Sequence, residues 1–554
     1  MPEEYIKVVQ DPQTKIWKSI NYPYGDVAKL SLGEKFLQKM RSINSNKIID
    51  HFYDRNVVKT AKEVYEQSII IAINLKRSGI KKGDCVIFYS MNNEWISVLS
   101  FGCFLIGALP NYCEVHLDEE STTGLFDLLE PALILYEEKY LSKIQRCLKR
   151  SKLQKQPHIL LIDGVQEPNI KTELLKEPDT NPVDFANFKS VDIKDTREEI
   201  ALLVLTSGST GLPKIVQITH ALIMHGITIW WDNDENYAPL DENSVVFSFS
   251  PLRWISQVAV MLQSMLFGLR RVSSCGAPTG KYGLEVLRNT DCITHIFVAP
   301  SIFYEILLQL DENDRESLKS LRSIQLGGEP ASKVCLELSK KHAVNAKNFH
   351  CYGMTEMSSC ICNDLYINGG KPLPGYEVQI LDDQMQPLLA NQPGQIAIRP
   401  PFPLKGYKST DNSVYYNERV LFVNGDYGLI DEQGKLHVLA RYKDLIRSNG
   451  EVIIPNALEY IIINLPEVYV ARLAGYCKTP NDPNEVAAFF VVLNRDVTAS
   501  CDEISAKIRS TLKQCLNAKQ LAMIEKIHFV DSVPLTTCGK IDRVALKKFA
   551  ACKS

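Results

Sequence analysis

Short apolar runs recur through the first part of the chain, each bounded by turn residues and separated by stretches of helical period. CVIFYS (85–90), ALILY (132–136), HILLI (158–162), IALLVL (200–205), SVVFSFS (244–250) and HIFVAP (295–300) are uncharged apart from their histidines and mostly apolar. Continuous apolar runs of this length predict strands buried on both faces, as in parallel sheets covered by helices. The uncharged stretch Trp95 to Leu109 carries Ser97, Ser100 and Gly102 and stops at Pro110. It predicts a buried helix over 95–108, too short to cross a bilayer. No transmembrane segment is expected.

After about residue 370 the pattern changes. PLPGYEVQIL, GQIAIRP and YGLIDEQGKLHVLAR, with their Gly, Asn and Asp turns, predict antiparallel strands and hairpins. From about 455 it is mixed again: helices over 456–464 and 502–516, and a core strand over VAAFFVVL (486–493). The predicted class is α/β: a large N-terminal domain, residues 1–440, of parallel α/β subdomains plus a β-rich subdomain, then a small α+β domain, residues 441–554.

Composition changes this picture little. A chain of 554 residues is too long for one ordinary core. With 62 basic and 65 acidic residues the net charge of −3 supplies no field that would recruit nucleic acid or an anionic membrane. The fifteen cysteines have no framework spacing, and MPEEYIKVVQDP lacks basic and apolar signal regions, so reduced thiols are expected. Cys351, Cys360 and Cys362 lack the second pair or histidine cluster that a zinc site needs.

The candidate chemistry starts at Leu205. The run IALLVL empties into Thr206-Ser207-Gly208-Ser209-Thr210-Gly211-Leu212-Pro213-Lys214, and ITHALIMHGI, a plausible helix with Thr219 near its start, follows. Glycines let the backbone approach an anion and turn N–H groups toward it. The hydroxyls add donors and Lys214 adds charge, which suits the β- and γ-phosphates of ATP. The spacing is not that of a Walker A loop.

TSGSTGLPK resembles the phosphate loop of the adenylate-forming superfamily, which comprises acyl-CoA synthetases, nonribosomal-peptide adenylation domains and beetle luciferases. Further motifs recur in the family's order: Tyr352-Gly353-Met354-Thr355-Glu356, Gly425-Asp426-Tyr427-Gly428, Arg441 to Gly450, and Pro534-Leu535-Thr536-Thr537-Cys538-Gly539-Lys540-Ile541-Asp542-Arg543. The similarity is greatest to 4-coumarate–CoA ligase-like and luciferase-like acyl-CoA synthetases of insects. It implies an ATP-dependent carboxylate–CoA ligase that works through an acyl-adenylate, with ATP, Mg²⁺ and coenzyme A as cofactors.

Residue roles follow from the same resemblance. Thr355 meets the α-phosphate, and Glu356 holds Mg²⁺, with Thr206 as a second oxygen donor. Asp426 grips the ribose hydroxyls and Arg441 assists. The Gly327-Gly328-Glu329-Pro330 backbone passes over the adenine, and Tyr352 stacks on it, next to Gly353. Lys540 reaches the α-phosphate and the substrate carboxylate, neutralising charge where it develops. No general base is needed, because the attacking carboxylate is already ionised. The C-terminal domain then swings, withdrawing Lys540 and bringing the loop near Gly450 to the site for thiol attack.

Three departures qualify the resemblance. The hinge position before Arg441 is Ala440 rather than Asp or Lys. The basic pair further on is Arg447 and Asn449, which weakens the thioester step more than adenylation. Pro251-Leu252-Arg253-Trp254 replaces the histidine pair of luciferases, which argues against light emission. Trp254, Gln257, Leu326, Met354 and Met357 are acyl-pocket candidates by position. The expected partner is a small hydrophobic carboxylic acid, fatty or aromatic, with no obligate protein partner. The alternatives are a luciferase-like adenylating oxygenase, a carrier-protein-loading enzyme and a catalytically weakened nucleotide- or acyl-binding homologue. The last residues, Ala551-Cys552-Lys553-Ser554, are not a Ser-Lys-Leu type peroxisomal address, so a cytoplasmic location is expected.

Overall fold

The computed structural model describes residues 8–552 except 20–26, 164–172, 178–182, 207–212, 232–238, 276–278, 291–292, 312–317, 330, 365–368, 409–414, 417–420, 480–481, 495–496 and 535–540. Two parallel-type sheets hold most of the predicted strands. In the six-stranded sheet the order is Ile215–Thr219, Ile200–Leu205, Leu109–Tyr112, Cys85–Tyr89, Leu133–Glu137, His158–Asp163. All neighbours are parallel except the first two.

The eight-stranded sheet runs Ser359–Asp364, Lys347–Met354, Ser323–Gly327, His295–Val298, Val245–Ser248, Arg270–Ser273, Ile48–Phe52, Val57–Thr60. Its interior pairs are parallel and both edge strands are antiparallel. The helix Ile96–Ile106 lies in a large shared core, buried along its whole length. Gly102 lets it press against the helix Ala61–Arg77: a Cβ there would sit 2.3 Å from Ile71 Cγ2.

The third sheet is antiparallel and seven-stranded: Val8–Gln10, Trp17–Ser19, Glu377–Leu381, Gly394–Arg399, Phe422–Ile430, Leu436–Arg441, Gly369–Gly370. Alternating burial along Phe422–Ile430 fits a sheet with one face on the core. Beyond it, the hairpin Ile446–Ser448/Glu451–Ile453 precedes a three-stranded sheet, Val468–Cys477, Glu485–Leu493 and Ile524–Phe529. Its central strand is the VAAFFVVL run. Phe489 packs into a cluster with Ile504, Ile508 and Leu512, and Phe490 into one with Leu546 and Ala550. That two-sided burial explains an apolar run without alternation.

The expected helix is present at His220–Ile229 with Thr219 as its N-cap, and a strand not predicted from the sequence, Ile215–Thr219, precedes it. The hydroxyl-rich loop therefore joins two antiparallel strands instead of leading from a strand into a helix. Among the described residues no helix is long and apolar enough to cross a membrane.

Candidate active site

The hydroxyl-rich loop is tied at its base, where Thr206 N donates to Lys214 O at 2.9 Å. Ser207, Gly208, Ser209, Thr210 and Gly211 lie outside the described residues. The return strand is clasped on its other side by the segment 406–408: Gln217 N donates to Gly406 O at 3.0 Å and Lys408 N to Ile215 O at 2.8 Å. This clasp brings two tyrosines to Lys214. The ammonium sits 2.5 Å from the Tyr415 hydroxyl and lies 4.3 Å and 4.7 Å from the ring centroids of Tyr415 and Tyr407.

Glu356 meets the same tyrosine from the other side. The strand Lys347–Met354 ends in a single turn, Thr355–Met357, and Ser358 with φ 63° reverses the chain into Ser359–Asp364. Gly353 is required by this tight return, since a Cβ would sit 2.5 Å from Ser359 O. The turn leaves Thr355 and Glu356 half-buried. The Tyr407 hydroxyl donates to Glu356 Oε1 at 2.5 Å. Among the described residues no group of three His, Cys, Asp or Glu side chains could hold a metal ion. A half-buried carboxylate with one oxygen engaged still fits Mg²⁺, which usually takes one or two carboxylates plus substrate phosphates and water rather than a protein cage.

Four residues before Glu356, on the strand that leads into its turn, Tyr352 enters a second knot. Asp426 and Arg441 face each other across the hairpin Phe422–Ile430/Leu436–Arg441. Arg441 Nε lies 3.0 Å from Asp426 Oδ1, and the Tyr352 hydroxyl donates to Asp426 Oδ2 at 2.5 Å. Asn424 completes it, donating to the Tyr352 hydroxyl at 2.6 Å and accepting from Asp426 N at 2.8 Å. Burial raises the pKa of the Asp426 carboxyl, opposed by the Arg441 charge. Asn424, Tyr407 and Tyr415 were not singled out from the sequence.

The loop after Ser323–Gly327 turns at Gly328, whose φ of +89° favours glycine. The Glu329 side chain and carbonyl also brace neighbouring elements. Its Oε1 accepts Ser301 N at 2.7 Å, capping the helix Pro300–Leu308, and its carbonyl meets His350 Nε2 at 3.0 Å. Pro330 lies outside the described residues.

On the acyl side, Leu326 and Met357 are fully buried in core clusters, while Met354 is half-buried. Trp254 is the N-cap of the helix Ile255–Phe267, and Gln257 in its first turn is buried, with no hydrogen-bond partner for Oε1 among the described residues. Arg253, in the place of a luciferase histidine, forms a buried ion pair with Glu114.

In the C-terminal region Lys540 lies outside the described residues; of the residues that flank 535–540, Asp542 N donates to Pro534 O at 2.9 Å. Arg543, next in sequence, binds Glu459 at 2.9 Å, Asn456 at 2.9 Å and Leu473 O at 3.0 Å, with Asp444 at 3.4 Å. Arg447 stacks on the Tyr442 ring at 4.5 Å. Asn449 and Gly450 have φ of 49° and 78° and form the two-residue link of the hairpin 446–453. Two successive left-handed residues are the conformation that Asn-Gly favours in hairpins. The asparagine thus suits the turn where the family often has lysine. Ala440 is buried and paired with Tyr427, so the expected hinge begins inside the antiparallel sheet.

The model of the AMP-binding enzyme family matches residues 42–408, more than half of the chain. The chain belongs to the AMP-binding enzyme family. This AMP-binding enzyme is 27% identical over 509 residues to the 2-succinylbenzoate–CoA ligase of Geobacillus kaustophilus, covering 89% of this chain and 94% of that protein. It is 26% identical over 513 residues to the luciferin 4-monooxygenase of Luciola mingrelica, covering 88% of each. Its fold matches the o-succinylbenzoate coenzyme A synthetase of Bacillus subtilis, solved with ATP and magnesium ion. The TM-score is 0.74 at 22% identity, with 93% of this chain and 99% of that one covered.

Proposed function

We propose that this AMP-binding enzyme is an acid–thiol ligase: it joins a carboxylic acid to ATP, releases pyrophosphate, and transfers the acyl group from AMP to coenzyme A. One observation carries the reading. Lys214 and Glu356 meet on Tyr407, and Tyr352, four residues before Glu356, is bonded to Asp426. A phosphate-side cation, a metal-side carboxylate and a ribose-side carboxylate are thus linked through two tyrosines around one strand end.

The substrate carboxylate attacks the α-phosphorus as the anion it already is. Thr355 and Lys540 meet the negative charge that develops there, while Lys214 and the hydroxyl loop hold the leaving phosphates. Bound Mg²⁺, held by Glu356 and Thr206, would neutralise the pyrophosphate. Asp426 and Arg441 hold the ribose, and Gly328, Glu329 and Pro330 line the adenine with their backbone. Residues 441–554 then turn about Ala440, bringing Arg447, Asn449 and Gly450 to the acyl-adenylate. The thiolate attacks the acyl carbonyl and AMP leaves.

The acid is hydrophobic, aromatic or fatty. The support is the composition of the positions expected to face the acid, of which Trp254, Met354, Leu326 and Met357 are largely apolar and Gln257 is polar. The proposed compartment is the cytoplasm, in keeping with the free thiols of the described cysteines.

The test is a panel of aromatic, fatty and short dicarboxylic acids incubated with the full chain, ATP, Mg²⁺ and coenzyme A, scored for AMP, pyrophosphate and each thioester by mass. An aromatic or fatty acid is expected to give AMP and thioester in equal amounts. AMP without thioester from every acid contradicts coenzyme A as acceptor. No acid-dependent AMP contradicts the ligase.

A further inference from the structure

Tyr407 stands where the two charged halves of the candidate site meet, and it carries no motif that would have drawn attention to it. Its hydroxyl donates to Glu356 Oε1 at 2.5 Å. Its ring centroid lies 4.7 Å from Lys214 Nζ. The backbone at this point is pinned by the clasp on Ile215–Thr219, with Tyr407 bridged directly to Val216. The ring is held edge-on by Tyr415, 5.0 Å away at 76°, and by Phe422 at 6.4 Å. Only 6% of the residue is exposed.

A donor on one carboxylate oxygen fixes the rotamer of Glu356 and leaves the other oxygen's lone pairs for a cation. Lys214 is held differently. Two π faces and one phenol oxygen attract the ammonium without cancelling its charge, so a polyphosphate can draw it away. A phenol ordinarily keeps its proton well above neutral pH, so the hydroxyl remains a donor.

We propose that Tyr407 is a positioning residue that aims Glu356 at the cation of a metal–nucleotide complex and, with Tyr415, stores Lys214 beside the phosphate path until the nucleotide arrives. The inference rests on the ligase reading only insofar as Glu356 and Lys214 face ATP.

The experiment titrates Mg²⁺ against the full chain and its Tyr407→Phe variant in two assays, calorimetric binding of ATP and acid-dependent pyrophosphate release. Tyr407→Phe removes one hydroxyl and keeps the ring under Lys214. It is expected to raise the half-maximal Mg²⁺ requirement by about 10-fold or more, the usual cost of losing a partner of a metal-binding group. The melting temperature and the KM for the acid are expected to stay at the parent values, which a merely structural role would not allow. Tyr415→Phe, acting on Lys214 alone, is expected to raise the KM for ATP with the Mg²⁺ requirement unchanged.

A Tyr407→Phe titration that overlays the parent overturns the proposal. So does a shift that appears equally in Tyr415→Phe, or one that tracks a fall in melting temperature. If the parent binds ATP with Mg²⁺ but releases no pyrophosphate with any acid, the ligase reading fails, and the binding titration still decides the role of Tyr407.

Discussion

Lys540→Ala is expected to lower acid-dependent pyrophosphate release by about 100- to 1,000-fold, the range found when one preorganised group facing a developing charge is removed. ATP binding is expected to change little, because the hydroxyl loop, Lys214 and the Asp426–Arg441 pair remain. The reason is electrostatic. An anionic carboxylate approaches an anionic phosphate, and without a cation between them the barrier contains their repulsion. Lys214 cannot substitute, since in this account the bound nucleotide draws it from Tyr407 and Tyr415 to the leaving phosphates rather than to the attacking carboxylate. Pyrophosphate release and equilibrium ATP binding, measured on the same preparation, check this. Undiminished release by the variant rules out Lys540, and equal loss of binding and turnover moves it to nucleotide recognition.

Arg543→Ala is expected to destabilise the C-terminal region by on the order of 3 kcal/mol, read as a lowered melting temperature for that region. Arg543 neutralises Glu459, whose side chain is 8% exposed, and also faces Asp444. Taking away one partner leaves a buried carboxylate without its main counter-charge, which costs more than the pair contributes. Arg472, 3.8 Å from Glu459, offsets part of the loss and keeps it below that of a sealed pair. Arg543 also begins the helix Arg543–Cys552 immediately after the Lys540 loop, so its loss loosens one foot of that loop. Pyrophosphate release is therefore expected to fall even below the melting transition, where the variant is folded. A variant with parent stability and parent turnover would remove Arg543 from both roles.

Strands that run apolar at every position were legible, because a two-faced environment writes itself into sequence as an unbroken run. IALLVL and VAAFFVVL are such cases, observed at Ile200–Leu205 and Glu485–Leu493. The strand Ile215–Thr219 was not, because its apolar residues merge with those of the helix that follows, and only its pairing with Ile200–Leu205 separates them. The pairing of Trp17–Ser19 with Glu377–Leu381 joins residues some 360 positions apart in sequence and leaves no local trace.

The candidate site was legible as far as its motifs reach. Thr355, Glu356, Asp426 and Arg441 could be named from sequence, whereas their supports could not. Tyr407, Tyr415 and Asn424 act through partners on other strands, so nothing beside them in sequence marks the role. The only available signal was the density of tyrosines in GYKSTDNSVYYNE. Asn449 and Gly450 carry a second local signal, since Asn-Gly favours a two-residue hairpin turn and the backbone adopts one there.

The central claim is that the acid's own oxygen bonds to the α-phosphorus. It is tested most directly by supplying a turnover-competent acid labelled with ¹⁸O in both carboxylate oxygens, together with ATP, Mg²⁺ and coenzyme A, and weighing the AMP and the thioester. The account predicts one labelled oxygen in AMP and the other in the thioester. Unlabelled AMP, or ADP and orthophosphate in its place, would contradict it.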